Sequence, residues 1–366
     1  MKVNKLKLNT VKFSEMLSRA LKCASNNKNM PLTSMIGITL RDNTLYLHTT
    51  DMTNHLIIKQ DNIEGDDFDI AVDLDVFSKL IPRITSEFIE LSIKDNLLKI
   101  KGNGEYTIEL RLDDEGNLIR FPDIEFNQDT QDTVASMFTI NSTAIDMILA
   151  NNKPSLDKED AIYGNYYVGD RVVSSDSIIL CAYDNKLFDY QDVLVSRELM
   201  DLLGTFIEDE INVLVLITHT GKITFTTDTT VLTGDVSDSV EDYNIEMINK
   251  WLDTSFDATC TLPKQAIINT LERIALFINE FDNRAVKLYF NDSKVQISSK
   301  QSSGVENIKY LDCEDAVDYE CIVDVDLLLQ QIKSVRSDKV TIEYGNDTCL
   351  KITEDYVIKL VSTMIE

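Results

Sequence analysis

Two hydrophobic rhythms take turns along this chain, and the order in which they do so predicts its elements. After a short alternating run, Lys5-Leu6-Lys7-Leu8-Asn9-Thr10, the spacing changes. Phe13, Met16, Leu17, Ala20, Leu21 and Ala24 fall at i, i+3, i+4, i+7, i+8 and i+11, one apolar stripe along a helix. Three strand-like runs follow near 34–41, 44–50 and 55–60, the first two separated by Arg41-Asp42-Asn43. The grammar then starts again. Phe68 to Val72 predicts a strand, Asp73 a cap, and Val76, Phe77, Leu80 and Ile81 the apolar face of a second helix. Strands near 88–94, 97–101 and 105–112 complete it, with Gly102-Asn103-Gly104 as a hairpin turn.

The later parts of the chain repeat this pattern. First-helix spacings recur at Ile145, Ile148 and Leu149, and again at Ile267, Leu271, Ile274 and Ile278. The second helix recurs with a matching start: Ala71-Val72-Asp73-Leu74-Asp75, then Leu194-Val195-Ser196-Arg197-Glu198, then Ile322-Val323-Asp324-Val325-Asp326. The candidate caps Asp73, Ser196 and Asp324 lie 123 and 128 residues apart. Solenoid repeats are roughly 20–50 residues, so this period means duplicated domains. The expected fold is α+β: three repeated domains, 1–130, 131–254 and 255–366, each two βαβββ units with two helices packed on antiparallel sheet.

Length agrees, because 366 residues exceed what one hydrophobic core holds, about 250–300. With 43% hydrophobic and 27% charged residues the composition is that of a globular protein. No apolar run reaches the roughly 18–20 residues that span a bilayer, and the start lacks a signal-peptide pattern, so a soluble cytoplasmic protein is expected. Six cysteines stand singly, without a C-x-x-C pair, which predicts reduced and mostly buried thiols. The three histidines, His48, His55 and His219, are few for a zinc or haem site, so no cofactor or metal is expected.

Charge changes the picture. The net charge of −27 argues against a nucleic-acid binder, yet it is unevenly spread. Basic against acidic residues number 16 to 21, 7 to 22 and 12 to 19 across the three thirds. The outer thirds keep enough Lys and Arg for a basic face, and a local field depends on where charges sit.

Several segments, taken in order, carry the pattern of one known family. Met30-Pro31-Leu32-Thr33 to Thr49-Thr50-Asp51-Met52 resembles a Leu-Pro loop before a strand pair ending in a Thr-Asp turn. Leu80-Ile81-Pro82, Gly104-Glu105-Tyr106-Thr107-Ile108 and Phe121-Pro122-Asp123 fall where that family has similar residues. Ser174-Ser175-Asp176 and Asp242-Tyr243 match in the second domain, Leu262-Pro263-Lys264-Gln265-Ala266 and Val286-Lys287-Leu288-Tyr289 in the third.

Together these segments resemble the bacterial and phage sliding clamp family, the beta subunit of DNA polymerase III, and the resemblance implies a non-enzymatic processivity factor. Two chains would join head to tail into a ring around duplex DNA, lined by helices, and would tether a replicative polymerase. An ATP-dependent loader would open the ring, since this chain has no G-x-x-x-x-G-K-[ST] loop. Lys12, Arg19 and Lys22 on the first helix, Lys79 and Arg83 on the second, Arg273 on the fifth, and Lys333 and Arg336 on the sixth would face DNA. As bare sequence they also read as solvated helix faces. Lys28 and Tyr163 match DNA-contacting family positions, although the family's adjacent second tyrosine is Gly164 here. The middle domain offers Arg197, Lys153 and Lys158.

Carried over position by position, the partner-peptide cleft would use Ser175, Ile178, Leu180, Val240, Leu350, Met364 and Ile365. This chain departs from the family there. Ser177-Ile178-Ile179 replaces Gly-His-Arg, Val240-Glu241 replaces Phe-Pro, and Ser362-Thr363-Met364-Ile365-Glu366 replaces Met-Pro-Met-Arg-Leu, which implies a changed peptide preference. Tyr106 would sit at the dimer interface, facing Phe277 and Ile278 of the other chain.

Two rivals stay open. A clamp-like decoy or DNA mimic would keep the fold and bind clamp partners without encircling DNA. A metal enzyme would draw on Asp73-x-Asp75, Asp324-x-Asp326 or Glu208-Asp209-Glu210, but both D-x-D pairs stand at helix starts, where capping explains them. His48 and His55 lie too far from any Ser or Cys pattern to argue a triad.

Overall fold

The computed structural model describes residues 4–25, 27, 30–94, 96–113, 115–122, 134–184, 192–207, 211–237, 239–278 and 283–364. Within them the order strand, helix, three strands recurs six times. The first repeat is β1 (Asn4–Asn9), α1 (Thr10–Ala20), β2 (Met35–Arg41), β3 (Thr44–Thr50) and β4 (His55–Gln60). The second is β5 (Phe68–Asp73), α2 (Leu74–Leu80), β6 (Phe88–Lys94), β7 (Leu97–Lys101) and β8 (Glu105–Glu109). The third is β9 (Val134–Asn141), α3 (Ser142–Asn152), β10 (Tyr166–Val168), β11 (Val172–Ser175) and β12 (Ile179–Tyr183). The fourth is β13 (Val193–Val195), α4 (Arg197–Gly204), β14 (Asn212–Thr218), β15 (Lys222–Thr226) and β16 (Thr230–Ser237). After a further helix, α5 (Ile245–Leu252), the fifth is β17 (Ala258–Pro263), α6 (Lys264–Ala275), β18 (Ala285–Phe290), β19 (Lys294–Ser299) and β20 (Val305–Lys309). A short strand, β21 (Asp312–Glu314), precedes the sixth: β22 (Tyr319–Asp324), α7 (Val325–Lys333), β23 (Lys339–Tyr344), β24 (Cys349–Glu354) and β25 (Val357–Ser362).

The chain forms two compact units, Met1–Ser142 with Glu198–Val236, and Thr143–Arg197 with Ser237–Glu366. The first holds an antiparallel sheet in the order β9-β14-β15-β16-β4-β3-β2-β5 and a second, β8-β7-β6-β1. The other unit holds β13-β10-β11-β12-β25-β24-β23-β17-β21 and β20-β19-β18-β22, also antiparallel. Strands run straight into helices, and at three of these junctions a side chain caps the helix start. Asn9 accepts the amide of Lys12, Asp73 that of Asp75, and Asp324 those of Asp326 and Leu327, satisfying amides that a helix start leaves open. Asp42 and Asn43 both take positive φ (51° and 61°), the conformation of a tight two-residue hairpin turn.

These helices run from 7 to 12 residues, short enough to be marginal alone, so packing must hold them. On α1 the predicted stripe is the buried face, and Phe13 meets Phe77 of α2 edge-on, ring centres 6.2 Å apart. Ile267, Leu271 and Ile274 of α6 and Leu328 and Ile332 of α7 enter one core with the sheet strands of their unit. Each such side chain contributes about 1.5–3 kcal/mol by leaving water.

One expectation is corrected here. Two helices per third omits α5, a seventh α-helix among the described residues. Asn244 caps it by accepting the amide of Met247, and it buries Ile248 and Leu252. Only one spaced pair of buried residues in eight positions marks it, too short a stripe to register as a period.

Candidate nucleic-acid and partner interfaces

Most cations expected on the helices are exposed, but several are already paired. On α1, Lys12 is exposed, and Lys22 in the turn after it is too. Arg19 is half-buried; its Nη2 donates to Thr230 Oγ1 at 3.0 Å and its guanidinium lies 6.0 Å from the Phe206 ring. On α2, Lys79 meets Asp75 one turn earlier at 2.5 Å, and Arg83 donates to the Lys79 carbonyl. On α6, Arg273 binds Glu306 through Nε and Nη2, which holds the Glu306 carboxyl below the usual range and raises Arg273. On α7, Lys333 meets Glu272 at 2.8 Å. Arg336 is exposed, and its backbone amide donates to Glu354. Arg197 is half-buried at the start of α4, while Lys153 and Lys158 are exposed. Tyr163 packs at a tilt against Tyr243, ring centres 4.8 Å apart, inside a small apolar cluster, and its hydroxyl accepts the Asn244 amide. Lys28 lies outside the described residues, as does Glu208-Asp209-Glu210.

The two D-x-D pairs are occupied by capping and ion pairs. Asp73 caps α2 and also takes Arg111, while Asp326 takes Arg284 Nε and Nη2 at 2.6 and 2.7 Å. Among the described residues no three His, Cys, Asp or Glu side chains come together to hold a metal. His48 and His55, seven apart in sequence, meet across the β3–β4 pair, Nε2 to Nδ1 at 3.2 Å. Five of the six free cysteines are buried, and burial pushes Cys181 up to about 12.

A cleft of about 170 Å³ opens in the second unit, where β12, β24 and β25 end beside α5. Ile178, Ile179, Leu180, Trp251, Cys349 and Leu360 give it apolar walls; Ser177, Thr348 and Ser362 add hydroxyls at its edge. Ile178 is 50% exposed and Trp251 39%, so the mouth presents two large apolar side chains to water. Three consecutive amides fix the terminal segment: Ser362 donates to Ile178 O, Thr363 to Thr348 O, and Met364 to Ile322 O.

Of the residues expected in this cleft, Ile178 and Leu180 line it. Ser175 is buried just below, its hydroxyl donating to Ile179 O. Val240 is half-buried in the neighbouring cluster around Tyr243. Leu350 is fully buried in the core of Leu328 and Ile342, and it does not line the cleft, whereas its neighbour Cys349 does. Met364 is half-buried, and Ile365 lies outside the described residues. Trp251, Cys349 and Leu360 escaped the sequence reading. Leu360 had a strand pattern that could have flagged it; Trp251 rides on the unread α5.

Tyr106 lies on β8, the outer strand of its four-stranded sheet, and is 36% exposed. Just past α6, Phe277 is 52% exposed and packs beside Gly304, whereas Ile278 is partly buried against the core. Among the described residues β8 pairs with β7 alone and β20 with β19 alone, so each leaves one edge open.

No protein-family model matches the chain, and no curated protein matches it in sequence. Solved structures match its fold over the whole length. The DNA polymerase sliding clamp of Pseudomonas aeruginosa superposes with a TM-score of 0.82 at 15% identity, covering 99% of this chain and 100% of that one. The beta subunit from DNA polymerase of Streptococcus pyogenes gives 0.82 at 15%, with 99% and 100% covered. The sliding clamp of Bacillus subtilis gives 0.80 at 15%, both chains covered completely. The chain thus has the DNA sliding clamp fold.

Proposed function

We propose that this chain is a DNA sliding clamp, a processivity factor that performs no catalysis. Its three clamp domains, 1–130, 131–254 and 255–366, would close head to tail with a second copy into a ring around duplex DNA. The observation that carries this reading is the whole-length agreement with sliding clamp structures over six strand–helix repeats. The open edges of β8 and β20 suit closure, because an unpaired strand edge is a template for pairing with another chain.

A ring holds DNA by topology, so phosphate contact need only keep it centred. Sequence-independent phosphate contact is weak and salt-dependent, which permits sliding. Lys12, Arg19, Lys22, Lys28, Lys79, Arg83, Arg197, Arg273, Lys333 and Arg336 would supply it, with Tyr163 nearby. A replicative polymerase and an ATP-dependent loader would dock at the cleft beside Trp251. No helix among the described residues is long and apolar enough to cross a membrane; action in the cytoplasm on free DNA is the proposed setting.

The rival reading is a decoy that binds clamp partners without encircling DNA. It draws on the net charge of −27 and on the pairing of Lys79, Arg273 and Lys333 with carboxylates. Loading the chain onto nicked circular DNA with a loader and ATP, then linearising the circle, separates the two. A clamp stays on the circle and slides off the linear form; a decoy is retained on neither.

A further inference from the structure

We infer that the cleft beside Trp251 selects a peptide carrying one bulky apolar anchor flanked by basic residues. This rests on the partner-cleft reading above and adds the chemistry of the occupant. Size sets the anchor. A cavity of about 150 Å³ lined by aliphatic side chains holds a benzene ring, so the present cleft of about 170 Å³ takes one phenylalanine or leucine side chain. Ile178 and Trp251 at the mouth, Leu180 and Leu360 further in, offer it apolar and aromatic surface.

Charge sets the flanks. Three acidic residues stand within two positions of residues that line the cleft. Asp176 closes the turn at the mouth by accepting the amides of Ile178 and Ile179. Asp253 and Asp347 are exposed, two positions after Trp251 and one before Thr348 in the sequence. Of the lysines equally near, Lys351 is paired with Glu343 at 3.1 Å. Lys359 is buried, donating to Gln331 O and Ser334 Oγ. Lys250 is left to oppose three carboxylates. The unit that holds the cleft is acidic as a whole, with 33 acidic residues against 18 basic. Peptides with cationic arms gain from such a rim, and acidic arms are repelled.

The chain has one tryptophan, so its emission reports this cleft directly. Three short peptides sharing a central phenylalanine, with lysine, glutamine or glutamate arms, are titrated into the full chain at about 50 mM and about 0.5 M salt. The lysine peptide is expected to shift Trp251 emission and to bind about tenfold tighter than the glutamate peptide at low salt, the gap closing at high salt. The triple variant D176N/D253N/D347N keeps the Asp176 acceptor as an amide oxygen and is expected to abolish that preference. Glutamine or glutamate peptides binding as tightly as lysine would overturn the charge inference while leaving the docking cleft in place. If none of the three perturbs Trp251 emission, the docking cleft itself is overturned, and the inference with it.

Discussion

Arg273 and Glu306 grip each other at two points, Nε to Oε1 at 2.8 Å and Nη2 to Oε2 at 2.5 Å. Thr270 joins them, accepting from Arg273 and donating to Glu306. A cation held this way offers less to a phosphate than its exposure suggests. The same applies to Lys79 with Asp75 and Lys333 with Glu272.

Salt dependence of DNA contact tests this. The variant D75N/E272Q/E306Q frees three cations, and the slope of log affinity against log salt is expected to steepen by up to about 0.9 per phosphate newly met. Neutralising Arg19, Lys22, Lys28, Lys333 and Arg336 together is expected to flatten it, equally for all sequences, with the ring intact. Slopes unmoved by both changes would make these helix faces plain solvated surface.

Ring closure can be probed at Phe277 without disturbing the core, because that ring is half in water while Ile278 packs inward. Phe277→Glu with Tyr106→Glu is expected to give folded monomers. Each change removes about 1.5–3 kcal/mol of burial, so the dimer dissociation constant rises at least tenfold per site. Sedimentation velocity reads the outcome, and a stable dimer in the double variant places the interface elsewhere. Ile278→Glu is expected to destabilise the fold itself.

The histidine pair makes stability fall in mild acid. Burial, then the adjacent His55, pushes His48 from 6.5 down to about 3; burial, then Lys222, lowers His55, opposed by Asp51 and Asp235. Folded His48 stays neutral through mild acid and the shift of His55 runs in the same direction, while both protonate freely when unfolded, so the unfolded state binds more protons below pH 6.5. Stability is therefore retained above that pH and drops by about 1.4 kcal/mol per unit below it for one such group. Urea midpoints from pH 7 to 5 are expected to fall in the parent chain and to flatten in H48Q/H55Q. Glu306 and Asp326, held low by Arg273 and Arg284, lose their contribution only at more acid pH.

Removing Met364, Ile365 and Glu366 is expected to abolish polymerase and loader binding while leaving the dimer and its melting temperature nearly intact. Of the described part, the cut removes one backbone hydrogen bond, Met364 to Ile322, and a half-buried side chain. Pull-down and calorimetry check the two halves of the prediction; unchanged partner affinity moves the docking site away from this terminus.

Much of the fold was legible along the chain because its elements obey local rules. The strands at 44–50, 55–60, 88–94 and 97–101 lie where alternation puts them, and Asp73 and Asp324 cap the helices they precede. Short-range periodicity and capping chemistry act within a few residues, so a sequence displays them directly. The second helices of the three thirds start at Leu74, Arg197 and Val325, the 123- and 128-residue spacing that the sequence displayed.

Where side chains meet across long separations, only the tertiary structure decides. Nothing local pairs Arg273 with Glu306, 33 residues on, or brings Arg19 to Thr230, 211 residues on. The cleft draws walls from segments near 178, 251, 349 and 360, and its tryptophan comes from a helix too short to show a period. Leu350 and Cys349 make the same point at one bond's remove. Both are apolar and buried, but the pleat sends successive side chains to opposite faces, so which of them reaches the cleft depends on strand register. Register is set by packing over the whole sheet, and the residues of a site inherit their positions from it.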